Sequence, residues 1–516
     1  IALCWSNLVM TPFLALRIIF VMSNTPLFAC AGLVLLAGCA SAPQKTVAVD
    51  PDLRAQQLAQ QLLIVDTHID VPYRLQSQWE DVAVSAPGGE FDYPRAKAGG
   101  LNAPFMSVYI PSSLEKKGGG YLLANQLIDS MEAIVGRAPD KFAMADSTAD
   151  VISQFGSGKI SLALGMENGT PIEGKLENLQ HFYDRGIRYI TLSHSESNHI
   201  ADSSYDLRRR WNGLSPFGKE LVVAMNNIGM MIDISHVSDQ AFYQAVEISK
   251  VPVIASHSSL RSYTPGFERN MDDDMIKALA KNGGVVQINF GSSFVTQMAN
   301  QYGALRKAAA KQAGVADDEA FELQFRKQNP YPFATLDTVL DHIDHVVKLV
   351  GIDYVGIGSD YDGVGDSLPI GLKDVASYPN LIEGLLKRGY SEADIVKIMS
   401  GNLLRVWRQV EAVAAASLHE SGNAWFWDIK ELLSENETNP HFDLVSAIRT
   451  KEKDAVQKGA SALIIYNSGT KDAGLKYDAK DRSALSTIPV LVLQKRLADK
   501  LAADPNYIET FSGYNS

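Results

Sequence analysis

The sequence predicts a (β/α)8 barrel with a small α/β module appended at its C-terminal end. Three observations carry the barrel: eight apolar runs recur between residues 62 and 360, stretches of helical periodicity separate them, and most runs close on an ionisable residue. A doubly wound open sheet would share the alternation and is the structural alternative at this level.

The runs are LLIVDTH (62–68), LNAPFMSVYI (101–110), ISLALGME (160–167), IRYITLSH (187–194), MMIDISH (230–236), VPVIASH (251–257), GVVQINF (284–290) and YVGIGSD (354–360). Their unbroken apolar character fits strands covered by helices on both faces. Residues 51–62 read as a helix that feeds the first run. Segments such as SPFGKELVVAMNNIG, DQAFYQAVEISK and DDDMIKALAKNG open on capping residues or proline, and several close on glycine, as helices do. The acids Asp272 to Asp274 mark one such helix start. Residues 291–335 exceed an ordinary loop and read as an insertion after the seventh run, where it could cover the barrel mouth. The pattern closes with GNLLRVWRQVEAVAAASL, which places the barrel at 51–418. In 419–516, DAVQKGASALIIYNSG reads as a helix into a strand and IPVLVLQKRLADKLA as a strand into a helix, the small separate module.

Composition narrows the function. A net charge of −12 and a pI of about 5.4 argue against a nucleic-acid partner, and the basic run Arg208, Arg209, Arg210 reads as a solvated loop. All three cysteines, Cys4, Cys30 and Cys39, fall in the first 39 residues, so a metal in the folded part must be held by histidine and carboxylate. From Met22 an apolar leader runs into LAGC and a polar tether, which resembles a bacterial lipoprotein signal with Cys39 as the lipidated residue. A start at Met10 would supply Arg17 as the leader's positive charge, and an uncleaved membrane anchor is the alternative. Both readings of residues 1–50 place the rest of the chain in the cell envelope, at a membrane surface facing the periplasm or the outside.

The chemistry sits at the ends of the runs. Residues i and i+2 of a strand face the same way, so His68 and Asp70 can point together into one space. His-x-Asp alone is a weak signal; repetition makes it specific. The other runs bring Glu167, His194, His236, His257 and Asp360 to what would be one barrel face, the face that carries active sites. Unpaired buried charges are costly, and metal ions remove the cost. Imidazole and carboxylate suit zinc, with manganese or cobalt as alternatives. The partition expected is two ions bridged by Glu167, with His68 and Asp70 on one and His236 and His257 on the other. A bridging water made acidic by the two cations would attack a carbonyl as hydroxide. Asp360 would relay its proton to the leaving amine, and His194 would steady the oxyanion. His342 and His345, three apart on one helical face, read as surface residues, and His181, His199, His419 and His441 lack supporting spacing. Asp362 fits either a turn or a supporting role.

Over residues 52–415 the chain resembles the membrane (renal-type) dipeptidase family, the M19 metallopeptidases. VDTHIDVPYRL, GMENG, TLSHSESNHIADS, WNGLSPFGKELV, IDISHVS, ASHSSLRSYTPGFERNMDDDMI and VGIGSDYDGV carry the resemblance, in family order. It implies a metal-dependent hydrolase barrel, two Zn2+ ions bridged by Glu167, a dipeptide substrate touched by His194, and Arg269 holding the substrate's terminal carboxylate. It further implies tolerance of a D-residue at the C-terminal position and a homodimer as the assembly. Gly291 stands where the family has a tyrosine after NF, and the disulfides of animal members have no counterpart. KGASALIIYNSG and IPVLVLQKRLADKL resemble part of a protease-associated domain. The expected activity is dipeptide hydrolysis. A lactonase or N-acyl amino acid deacylase on the same metals is the alternative, and a barrel serving only as a binding module is the alternative of another class.

Overall fold

The structure is a computed structural model that describes residues 50–420, Lys451, and the backbone of 424–428, 462–466 and 490–493. Eight parallel strands form a ring: β1 (Ile64–Ile69), β2 (Leu101–Tyr109), β4 (Ile160–Glu167), β5 (Ile187–Thr191), β6 (Met231–Asp233), β7 (Ile254–Ala255), β8 (Val285–Ile288) and β9 (Val355–Ile357), with the short β3 (Phe142–Met144) paired to β4 outside the ring. The ring closes between its ends. Ile69 bridges Tyr361 in parallel, Asp360 N donates to His68 O at 3.0 Å, and Asp70 N donates to Tyr361 O at 2.9 Å. An open sheet would leave those groups unpaired, so the doubly wound alternative is excluded.

The eight expected runs are the eight ring strands, with ends shifted. β5, β6, β7 and β9 stop two or three residues before His194, His236, His257 and Asp360. Pairing ends there because the backbone turns: His236 and Asp360 adopt φ of 70° and 64°, a left-handed conformation that side chains with a Cβ rarely hold.

Helices surround the ring for the reasons seen in the sequence. Pro51–Gln61 starts on Asp50 with proline in its first turn, and Asp273–Asn282 starts on Asp272, whose carboxylate caps Met275 N. Two apolar layers result. The outer faces of the strands pack against the helices, while Val65, Ala103, Phe105, Ala163, Tyr189 and Met231 fill the barrel interior. The helix Asn402–Glu420 runs against that interior, and its fully buried Trp407 lies 5.2 Å from the Phe105 ring. The expected insertion is helical, with Ser292–Val295, Gln297–Ala313 and Glu319–Gln328 preceding the helix Leu336–Val350. Beyond the barrel, Ala424–Asp428, Ala462–Tyr466 and Val490–Leu493 form a second, three-stranded parallel sheet. Its last two strands fall within DAVQKGASALIIYNSG and IPVLVLQKRLADKLA. The helices expected beside them, the leader and Cys39 lie outside the described residues.

Candidate active site

A bulge decides the direction of His68. Between Asp66 and Ile69 the first strand advances three residues while its partner advances two, from Pro104 to Met106. Val65 faces the interior, so strict alternation would send His68 outward; the extra residue reverses the parity and turns it in. Asp70, just past the strand, follows into the same space.

There the expected residues converge. Glu167 is buried and presents its two carboxylate oxygens to different partners. Oε2 lies 3.4 Å from His68 Nε2, whereas Oε1 lies 3.0 Å from His236 Nε2 and 3.3 Å from both His257 Nε2 and His194 Nε2. Asp70 Oδ2 and Asp360 Oδ1 stand 3.5 and 3.9 Å from His68 Nε2. Three overlapping groups have donor atoms close enough to share an ion: His68, Glu167 and His257; Glu167, His194 and His236; and His68, Asp70 and Asp360.

The electrostatics of the cluster call for positive charge. Burial raises the Glu167 carboxyl, yet His194 and His68 outweigh it and hold the group well below the usual carboxylate range. Burial alone would strip His68 of its proton, but the Tyr189 hydroxyl, Asp70 and Glu167 lift it well above the imidazole range. His236 and His257 are driven well below that range, by burial first and then by Arg269 and His68 respectively. Asp360 is pushed up to about 7, chiefly by burial and then by Asp70. Two further contacts fit a metal cradle. His68 Nε2 is buried without a hydrogen-bond partner, and the Nε2 atoms of His236 and His257 approach to 2.8 Å, where at most one proton fits between them. The donor set of imidazole and carboxylate therefore fits divalent cations bound through these atoms.

Arg269, 3 % exposed, lies against the cluster: Nη1 donates to Ser258 Oγ at 2.9 Å and Nη2 to the His257 carbonyl at 2.7 Å, leaving Nε as a buried donor without a partner. The Phe294 ring stands 5.3 Å from its guanidinium. A Cβ on Gly291 would meet Phe294 at 2.9 Å and Val364 at 3.0 Å, so these apolar groups take the edge where the resemblance places a tyrosine.

A match to the model of the membrane dipeptidase family (peptidase family M19) spans residues 53–421, most of the chain and the whole barrel. The chain belongs to that family. It is a dipeptidase, and its histidine–carboxylate cluster is that of a metallo-enzyme. Among curated proteins it is 35% identical to dipeptidase 3 of Mus musculus over 383 residues, covering 72% of this chain and 70% of the relative. An uncharacterized dipeptidase of Schizosaccharomyces pombe is 33% identical over 387 residues, covering 70% and 83%. Among solved structures, the probable dipeptidase PvdM from Pseudomonas aeruginosa matches with a TM-score of 0.63 at 26% identity, over 70% of this chain and 99% of that one.

Outside the cluster, one residue departs from expectation. His342 is not a surface residue: it is fully buried, its Nε2 contacts the Val295 carbonyl at 3.1 Å and its Nδ1 accepts Leu260 N at 3.2 Å. The insertion packs back over that helix and covers it. His345 pairs with Asp273 at 2.8 Å, His199 with Glu115 at 3.1 Å, and His181 with Asn125 at 2.9 Å. Asp362 turns away from the cluster and accepts from Arg74 Nε at 2.8 Å. In the basic run, Arg208 is solvated, but Arg209 is tied to Glu268 and to the Ser203 carbonyl.

Sequence reasoning passed over four supporting residues. Asn289, fully buried, donates to Asp360 Oδ2 at 2.7 Å while its own carbonyl accepts Gly291 N at 2.8 Å, so its amide can face only one way. Gly363 leaves room for two carboxylates: a Cβ there would stand 2.2 Å from Asp70 Oδ2 and 2.5 Å from Asp360 Oδ1. Tyr189 touches His68 from inside the barrel, and Asp233 reaches His257 through Ser256. Only Asn289 had a signal of its own, a polar residue at the end of the seventh run.

Proposed function

We propose that the chain hydrolyses the single peptide bond of dipeptides using two zinc ions held on either side of Glu167. The observation that carries this reading is the division of the Glu167 carboxylate, one oxygen toward His68 and Asp70, the other toward His236 and His257. Two divalent cations bound there supply a water acidic enough to attack at neutral pH and a Lewis acid for the scissile carbonyl. Thiolate-free nitrogen and oxygen donors suit zinc, with manganese and cobalt as substitutes in reconstitution.

The chain's own groups do the rest. Asp360, with Oδ2 held by Asn289, takes the proton of the attacking water and returns it to the amide nitrogen as the C–N bond breaks and the C–O bond forms. In the metal-free site, burial and the neighbouring Asp70 push this carboxyl up to about 7, toward its proton-carrying form. His194, with 18% of its side chain exposed against 6% for His236 and 1% for His257, is the imidazole that faces incoming substrate, where it steadies the developing oxyanion. Arg269 offers its unpartnered Nε–H to the substrate's terminal carboxylate, a charge-assisted bond that limits the distance from scissile bond to C-terminus and so selects dipeptides.

The same reading places the protein in the cell envelope, tethered through a lipidated Cys39, with the barrel at 51–418, a separate module at 419–516 and a homodimer as its assembly. The LAGC motif supports the tether. Among the described residues no helix is long and apolar enough to cross a membrane.

Metal analysis of the purified protein, with turnover of a dipeptide panel and matched N-acyl amino acids and lactones, tests the chemistry. Two zinc ions per chain and dipeptide cleavage are expected. Fewer than two at saturation would overturn the dinuclear reading, and cleavage confined to N-acyl amino acids or lactones would replace the substrate class. Loss of labelled-lipid incorporation in Cys39→Ala checks the tether.

A further inference from the structure

Two of the imidazoles at the cluster are held from behind by hydroxyls whose own protons are already committed. His68 Nδ1 lies 2.8 Å from the Tyr189 hydroxyl, and that hydroxyl lies 2.9 Å from the Thr67 carbonyl. A carbonyl can only accept, so the single Tyr189 proton goes to Thr67, and Tyr189 must accept from His68 Nδ1–H. His257 repeats the arrangement with different residues. Its Nδ1 lies 2.8 Å from Ser256 Oγ, and Ser256 Oγ lies 2.6 Å from Asp233 Oδ2. The other oxygen of Asp233 accepts Ser256 N at 2.8 Å and Ser235 N at 3.0 Å, and Thr191 Oγ1 also donates to Oδ2. A carboxylate surrounded by donors takes the Ser256 proton, and Ser256 then accepts from His257 Nδ1–H. Every member of both relays is buried, and Thr67, His68, Tyr189, Asp233 and Ser256 are fully so.

We infer that these relays, His68 to Tyr189 to the Thr67 carbonyl and His257 to Ser256 to Asp233, hold a proton on Nδ1 of both imidazoles, so that Nε2 is the nitrogen each offers to an ion. Tyr189, Ser256 and Asp233 are thus positioning residues that set which nitrogen faces the cations. The inference rests on the metal reading proposed above and adds the residues that keep Nδ1 protonated and leave Nε2 as the nitrogen given to the ion. A tautomer set by the second hydrogen bond is the ordinary device of ligating histidines. Here it runs through hydroxyls, one ending on a neutral carbonyl and the other on a buried carboxylate.

Asp233→Asn is the discriminating variant because the surrounding donors dictate its orientation. Two backbone N–H groups require the amide oxygen at the Oδ1 position, which turns the NH2 toward Ser256 Oγ. Ser256 then receives a hydrogen bond and donates to His257 Nδ1, moving the imidazole proton to Nε2 where it blocks the ion. Zinc affinity, measured by chelator competition, should fall by about 10- to 100-fold in Asp233→Asn, and by a similar factor in Tyr189→Phe. Thermal unfolding of the metal-free proteins reports whether each variant is folded. Nitrogen-15 spectra of zinc-loaded wild type give a readout that needs no variant: His68 and His257 should carry hydrogen on Nδ1 and none on Nε2. Ligation through Nδ1 at either residue, or unchanged zinc affinity in a folded Asp233→Asn, would overturn the inference. Wild type that binds no zinc would instead overturn the metal reading on which it rests.

Discussion

Glu90 offers a test of the buried electrostatics from outside the catalytic cluster. Arg74 donates to Asp362 at 2.8 Å and to Glu80 at 2.5 Å, so one positive charge is already shared by two carboxylates. Glu90 is the third acid: its Oε2 accepts Asp362 N at 2.7 Å, and its own N–H donates to Asp362 Oδ1. Burial, then the hydrogen bond and repulsion from Asp362, push its carboxyl up to about 8 from an ordinary 4.5. The native state therefore keeps a proton that the unfolded chain releases. The stability this contributes is whole below pH 4.5 and is lost as pH rises through 8. The full difference corresponds to about 5 kcal/mol, and because Glu90 is only half-buried, solvent screening leaves about 2 kcal/mol. Glu90→Gln replaces the carboxyl with a permanently neutral group that can still accept from Asp362 N and donate to its carboxylate. At pH 8.5 the variant should be more stable by about 2 kcal/mol, a rise of roughly 2–3 °C in melting temperature for a barrel of this size. At pH 5 the two proteins should agree within about 0.5 kcal/mol. Scanning calorimetry of the zinc-loaded proteins at both pH values measures this. A gain equal at both pH values, or a loss at pH 8.5, would refute the assignment of a protonated Glu90.

Three further outcomes follow from the cluster itself. Glu167→Gln halves the charge available to the ions, so metal analysis should find fewer than two per chain and kcat/KM should fall by at least about 100-fold; full loading with unaltered turnover would contradict the bridge. Asp360→Asn keeps the Asn289 contact but cannot carry a proton, so kcat should drop by about 10²–10⁴-fold with little change in KM, read from steady-state rates. Gly363→Ala puts a methyl on top of the two carboxylates that Gly363 accommodates, and isothermal titration should show zinc binding weakened, with loss of the site that uses Asp70.

How much of this was legible in sequence differs by residue. Glu167 closes an eight-residue strand that pairs with β2 in unbroken register from Ala163 to Glu167, so its place at the rim follows from counting. His68 arrived at the rim for a different reason than counting suggests, because a bulge supplies the parity that alternation lacks. His194, His236, His257 and Asp360 were recognised as strand-end residues although pairing stops short of them, since residues just past a strand still project from the same end of the barrel. His342 reads as exposed in the sequence because a polar residue on an amphipathic helix looks solvated until the segment that covers it is known.

By itself the sequence determined the barrel, the absence of thiol ligands in it, and the set of imidazole and carboxylate groups available to a metal. These are properties of composition and period, which survive without knowledge of neighbours. Only the tertiary structure decided which oxygen of Glu167 meets which histidine, that Tyr189 and Asp233 stand behind the ligands, and that Gly363 leaves them room. Those facts depend on side chains from different strands meeting inside a closed ring, as His68 and Tyr189, 121 residues apart, do within 3 Å. Hydrogen-bond direction is set by whatever lies on the far side of each group, and no local pattern in a chain contains that information.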